Sequence, residues 1–155
     1  MRSGGGGGGA ELVVDASVVV KWYVLEPDRE EALRIREDYI DGKVELAAPA
    51  LMPFEVLNAV RYSTDRLEAE RLMDIAESLS LYGFKLYGLK GEYARLTAKI
   101  ALENNLTIYD ASYVALAERL NTTLYTADEK LIEALSGKHR GRVKLLSEYP
   151  HRRAS

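Results

Sequence analysis

The sequence predicts an α/β fold, a single domain in which a parallel β-sheet is covered by helices on both faces. Short apolar runs alternate with segments of helical periodicity along the chain, the order that parallel strands and their crossovers require. Several of the runs are apolar at consecutive positions, as strands buried on both faces are. A chain of 155 residues with 47% hydrophobic content is long enough to bury one sizeable core.

Taken in order, "MRSGGGGGGA" (1–10) reads as an artificial linker outside the fold, residues 11–148 as the domain, and 149–155 as a tail. "ELVVD" (11–15) is a short buried strand, β-branched and ending at a polar residue. "SVVVKWYVL" follows as a helix, although its valines blur the local preference. Residues 28–42 carry helical spacing through Ala32, Leu33, Ile35 and Tyr39, with Asp28 as cap and Gly42 as stop. "VELAA" (44–48) is the second strand. Pro49 and Pro53 then open the helix "FEVLNAVRYS", since proline suits a first helical turn. A longer amphipathic helix spans 65–81, "FKLYGL" (84–89) alternates like a strand, and 92–105 is helical with Leu96, Ile100 and Ala101 inward. "LTI" reads as a minimal strand before Asp110 and its helix, whose apolar stripe is Tyr113, Val114, Ala117 and Leu120. "TLYTA" (123–127) is a strand, 129–135 a helix and "RVKLL" (142–146) the last strand.

Composition narrows the function classes. There is no cysteine, which excludes disulfides and thiolate metal sites, and His139 and His151 form no zinc pattern. No run reaches the ~18 apolar residues of a membrane span and no signal peptide precedes the first strand, so a soluble, cytoplasmic protein without membrane contact is expected. The formal net charge of −3 argues against holding nucleic acid by bulk positive charge. The absence of glutamine and a 29% charged content lean toward a thermophile.

Against that background the acidic residues stand out. In an open parallel sheet, ligands bind beyond the carboxyl ends of the strands. Asp15 ends the first strand, Asp110 follows "LTIY" and Asp128 follows "TLYTA". Glu55 shares a narrow polar face with Asn58 and Tyr62 on an otherwise apolar helix. Each of these residues also fits a plainer role. The three aspartates directly precede helices and would serve as N-caps, and Glu55 would complement a helix dipole. Asp110, however, points into the middle of an apolar stripe, where a carboxylate costs several kcal/mol unless compensated. Gathered at one edge, four carboxylates repel unless a cation sits among them, and an all-oxygen donor set favours Mg²⁺ or Mn²⁺. Such a cluster suits phosphoryl chemistry. Ser17 and Thr126, each two residues from a proposed ligand, either donate to carboxylates or act as ordinary turn hydroxyls.

At these residues the chain resembles the PIN-domain ribonucleases, and especially the VapC-type toxins of prokaryotic toxin–antitoxin pairs. The matching pieces are "VVDAS", "PFEVLNAV", "TIYDASYVALAE" and "LYTADEKL", in the right order and spacing across residues 12–146. The resemblance implies a three-layer α/β/α sandwich with a central parallel sheet. It implies Asp15, Glu55, Asp110 and Asp128 as catalytic residues and ligands of one or two Mg²⁺ or Mn²⁺ ions, with Ser17, Asn58 and Thr126 as supporting polar groups. It further implies endonucleolytic cleavage of RNA by metal-activated water, inhibition by a cognate antitoxin, and a homodimer.

Substrate contacts are open to Lys21, Arg61, Arg66 and Lys85, which lie off the apolar stripes, and to stacking faces on Trp22 and the ten tyrosines. Four rivals stand beside the toxin nuclease. A PIN-like RNA-processing enzyme or a non-catalytic scaffold would keep the acidic edge. A receiver-like phosphoacceptor would want an adjacent acidic pair after the first strand, where "LVVDAS" has one acid. A serine hydrolase would need a histidine near its nucleophile.

Overall fold

The computed structural model describes residues 9–150. Five parallel strands form one sheet in the order β3-β2-β1-β4-β5. They are β1 (Ala10–Val14), β2 (Val44–Pro49), β3 (Lys85–Tyr87), β4 (Leu124–Thr126) and β5 (Val143–Leu145). β1 pairs with β2 from Ala10↔Val44 to Val13↔Ala47, and with β4 at Val13↔Leu124 and Val14↔Tyr125. The central strands are apolar at consecutive positions because both faces are covered: Val13, Val14, Leu46, Ala47 and Leu124 are all but inaccessible.

Two groups of helices complete the α/β/α sandwich. One comprises α1 (Ala16–Val19), a 3-10 turn at Val20–Trp22, α2 (Arg29–Ile40), α3 (Met52–Arg61) and α4 (Ala69–Leu81), which pack on one another. In the other, α5 (Gly91–Asn104) lies against α6 (Ile108–Arg119), and α6 packs on β1, β2 and β4. The short α7 (Glu129–Ala134) and α8 (Gly137–Arg140) flank β5.

Several expectations are corrected. "LTI" is not a strand. Asn105 ends α5 in the left-handed region at φ 53°, and Thr107 caps α6, accepting the Asp110 N–H on its hydroxyl at 3.1 Å. The connector is too short for a strand, so Asp110 is the third residue of a helix and the strand ends supply two aspartates, Asp15 and Asp128. α6 has no single apolar stripe either. Every residue from Ala111 to Ala117 is buried, because the helix lies between the sheet and α5. α3 is buried only along Met52, Val56 and Val60, and Phe54 is 77% exposed. Pro49 is the last residue of β2, and only Pro53 stands in the first turn of α3. Asp28 makes no capping hydrogen bond, whereas Gly42 does end its segment, at φ 78°. α4 begins at Ala69, after an extended Glu68, four residues later than the periodicity suggests.

β1 already includes Ala10, while residues 1–8 of the glycine-rich start lie outside the described residues. Tyr149 is buried, packs edge-on against Tyr125 and donates to Asp38 at 2.5 Å, and the tail from 151 lies outside the described residues.

Candidate active site at the carboxyl edge of the sheet

The strand order places the switch point between β1 and β4, where successive connections leave in opposite directions and a crevice opens at the carboxyl edge. Asp15 and Asp128 follow these two strands. Asp15 has extended backbone (φ −78°, ψ 153°) and caps α1, its Oδ1 accepting the Ser17 N–H at 3.2 Å. Its Oδ2 accepts the hydroxyl of Thr126 at 2.7 Å. Thr126 is completely buried at the end of β4, and its oxygen also accepts the Asp128 N–H at 3.0 Å. One threonine hydroxyl therefore ties the two strand-end aspartates together. The Ser17 hydroxyl accepts the Ala127 N–H at 3.0 Å and lies 3.4 Å from Thr126 Oγ1. With the Thr126 proton directed at Asp15, Ser17 is the donor in that contact. Asp128 caps α7 through Lys130 N–H at 3.0 Å. For Asp15 and Asp128, then, the capping role is real.

Glu55 and Asp110 reach the same edge from helix first turns. Glu55 accepts the Tyr113 hydroxyl on Oε1 at 2.6 Å. All four acids are partly exposed. Burial pushes the Asp15 carboxyl up from 3.8 to about 6, against the hydrogen bonds from Thr126 and Ser17, and the charges of Glu55 and Asp110 add to the rise. Burial also raises Glu55, with Tyr113 opposing and Asp110 adding. Asp110 is raised by burial and then by Asp128, with Thr107 opposing. Asp15, Glu55 and Asp110 each feel another of the four, and the charge of Asp128 acts on Asp110.

Every donor to this group is neutral: a backbone N–H, a threonine or a tyrosine. Among the described residues no lysine or arginine pairs with any of the four, although ion pairs form elsewhere. The charge is oriented and not neutralised, and its donor atoms are all oxygen, which fits a hard divalent cation. The carboxylates do not close on a point. Among the described residues no three acidic, histidine or cysteine side chains are drawn together tightly enough to hold an ion.

The remaining sequence candidates divide. Asn58 is exposed and lines an open recess with Leu51, Phe54, Glu55 and Tyr109. Arg61 is exposed and lies over the ring of Tyr62, itself 74% exposed, at 5.0 Å, and Arg66 is exposed. Lys21 drops out: the 3-10 turn buries it, and its ammonium meets Glu26 at 3.2 Å. Trp22 is no stacking face, because it is buried with its indole N–H donating to Ala32 O at 2.9 Å. Lys85 lies within reach of Glu11 (3.6 Å) and Glu45 (3.9 Å), near the amino ends of β1 and β2 and away from the acidic edge. The periodicity places Tyr113 in the apolar stripe of α6 and does not mark it as a donor to the site. Its signal was available, since a tyrosine in place of phenylalanine at a buried position implies a partner for the hydroxyl.

With this geometry in hand, the chain can be set beside known proteins. A family model described as PIN domain matches residues 12–136. Ribonuclease VapC3 of Pyrobaculum aerophilum is 32% identical over 132 residues, covering 79% of this chain and 93% of that protein. Ribonuclease VapC3 of Mycobacterium tuberculosis is 29% identical over 145 residues, covering 90% of this chain and 98% of that one. A solved toxin–antitoxin complex from Klebsiella pneumoniae shares the fold with a TM-score of 0.62 at 17% identity, over 87% of this chain and 97% of that chain.

Proposed function

The chain belongs to the PIN domain family, and from that premise we propose that it is a divalent-metal-dependent endoribonuclease, the toxin of a toxin–antitoxin pair. The observation that carries the proposal is the group of four carboxylates about the β1/β4 switch point, whose hydrogen-bond donors are all neutral. The ribonuclease names of relatives spanning most of the chain supply the substrate class. The likeness to a toxin–antitoxin complex supports an antitoxin partner. Among the described residues no helix is long and apolar enough to cross a membrane.

In this reading Asp15, Glu55, Asp110 and Asp128 hold one or two Mg²⁺ or Mn²⁺ ions. When bound, the cation supplies a nucleophile from water at neutral pH and stabilises the leaving oxygen. The chain's own groups set the geometry. Thr126 and the Ser17 N–H fix the plane of the Asp15 carboxylate, and Ser17 braces Thr126. The Asp128 N–H on Thr126 keeps the ends of β1 and β4 in register. Asn58, exposed beside Glu55, is the supporting group on the substrate side. The 3′ oxygen of the scissile phosphodiester leaves, giving 5′-phosphate and 3′-hydroxyl ends.

The test is cleavage of defined RNAs in Mg²⁺, Mn²⁺ and EDTA with the ends mapped. Asp15→Asn and Asp110→Asn should each remove most cleavage with the fold intact. Cleavage that persists in EDTA and leaves 2′,3′-cyclic phosphate, or near-normal activity in both variants, would overturn the proposal.

A further inference from the structure

We propose that Tyr113 is a positioning residue of this site, holding Glu55 in the orientation that binds the divalent cation. The inference rests on the quartet being a cation site and adds to it a part that the acids do not supply themselves. The two strand-end aspartates are held locally: each has a short side chain, and each accepts a backbone N–H two residues further on. Glu55 has no such arrangement. Its carboxylate stands one methylene further from the backbone, in the first turn of α3, and needs more torsions fixed. Among the described residues the one hydrogen bond to this carboxylate comes from Tyr113, 58 positions away in sequence.

Tyr113 is built for that task. It lies one turn beyond Asp110 on α6, its side chain is 1% exposed, and its ring is packed in the core. A phenylalanine would fill the same space, so the hydroxyl is the informative atom. A buried hydroxyl costs free energy unless it is partnered, and this one donates to Glu55 Oε1. The phenol thereby ties α6 to α3, beside Asp15. A phenol is protonated at neutral pH, so it remains a donor. Partners of this kind, which orient a ligand without touching the ion, typically change metal affinity or activity by about 10–100-fold when removed.

The experiment compares wild type, Tyr113→Phe, Glu55→Gln and the double variant, with melting temperature and RNA cleavage followed across a Mn²⁺ titration that begins in EDTA. Tyr113→Phe should melt close to wild type in EDTA, need about 10–100-fold more Mn²⁺ for the half-maximal rise, and regain cleavage in excess Mn²⁺. In the Glu55→Gln background the same change should leave the Mn²⁺ midpoint where it is, because the effect passes through Glu55. An unchanged midpoint in Tyr113→Phe, an equal shift with and without Glu55, or a variant unfolded in EDTA would each overturn the role of Tyr113 alone. A wild-type protein whose melting temperature does not respond to Mn²⁺ would overturn the cation site, and the role of Tyr113 with it.

Discussion

Replacing the most enclosed of the four acids should make the metal-free protein more stable. Asp15 is raised from 3.8 to about 6 in the folded protein, chiefly by burial. A folded-state value above the unfolded one means that the folded protein holds the extra proton between these limits, so stability falls as pH rises from about 4 to about 6. A rise of about 2 pH units corresponds to about 3 kcal/mol of lost stability at neutral pH. Asp15→Asn removes that cost. It keeps an acceptor for the Ser17 N–H and turns its amide toward Thr126 Oγ1, giving back about 1 kcal/mol in a weaker hydrogen bond. The net gain is about 2 kcal/mol, or about 4–8 °C for a chain of this length. Near pH 4.5, protonation of the wild-type carboxyl recovers about 2 kcal/mol, and the two proteins should melt together. Thermal and urea unfolding in EDTA at the two pH values measures both quantities. Adding Mn²⁺ should reverse the order by raising the wild type alone. A variant less stable than wild type by the same amount at both pH values would refute the reasoning.

The remaining acids and their supports make separable predictions. Thr126→Val removes the donor to Asp15 and the acceptor of the Asp128 N–H, and should cost about 2 kcal/mol, with the larger loss where Asp15 is ionised; denaturant unfolding in EDTA above and below pH 6 reads it. Asp128→Ser keeps a capping oxygen for α7, so its melting temperature should stay near wild type while RNA cleavage is lost; a large stability loss would return Asp128 to a cap alone. His139 on α8 and Glu118 in the last turn of α6, at the opposite end of that helix from Asp110, form a shielded pair at 2.8 Å. His139→Leu should cost about 1–3 kcal/mol in unfolding assays and leave the kcat of cleavage unchanged.

How far these features could be read in advance depended on whether the determining contact was local. β1, β2 and β4 were legible because strands covered on both faces must be apolar at consecutive positions, as Val13, Val14, Ala47 and Leu124 are. Asp15 and Asp128 were legible because cap and strand end coincide in sequence. "LTI" failed because two β-branched residues around a helix start imitate a strand, and the deciding signal was Thr107 as a cap three residues before Asp110. Lys21 failed because a change from α to 3-10 winding rotates the face a residue presents, which valine-rich sequence does not reveal. Tyr113 was legible as core and not as a donor, since its partner lies on a different helix. Pairing α6 with α3 across the end of β1 is a property of the tertiary fold.

The neutrality of the donors gives the site a specific vulnerability. The chain has 21 lysines and arginines, and among the described residues Glu26, Glu31 and Glu92, for example, each pair with one of them. Among the described residues the quartet pairs with none of them, so its charge stays available to a soluble cation. A tethered ammonium should compete for that role. Asn58 is exposed, one turn after Glu55 on α3, and Glu followed by Lys on one helix face is the favourable polarity. Asn58→Lys should therefore stabilise the protein in EDTA by about 0.2–0.5 kcal/mol and raise the Mn²⁺ concentration needed for the half-maximal melting shift. Asn58→Leu, without the charge, should leave that midpoint in place. If Asn58→Lys bound Mn²⁺ as readily as wild type, the carboxylates would not be acting as one electrostatic unit.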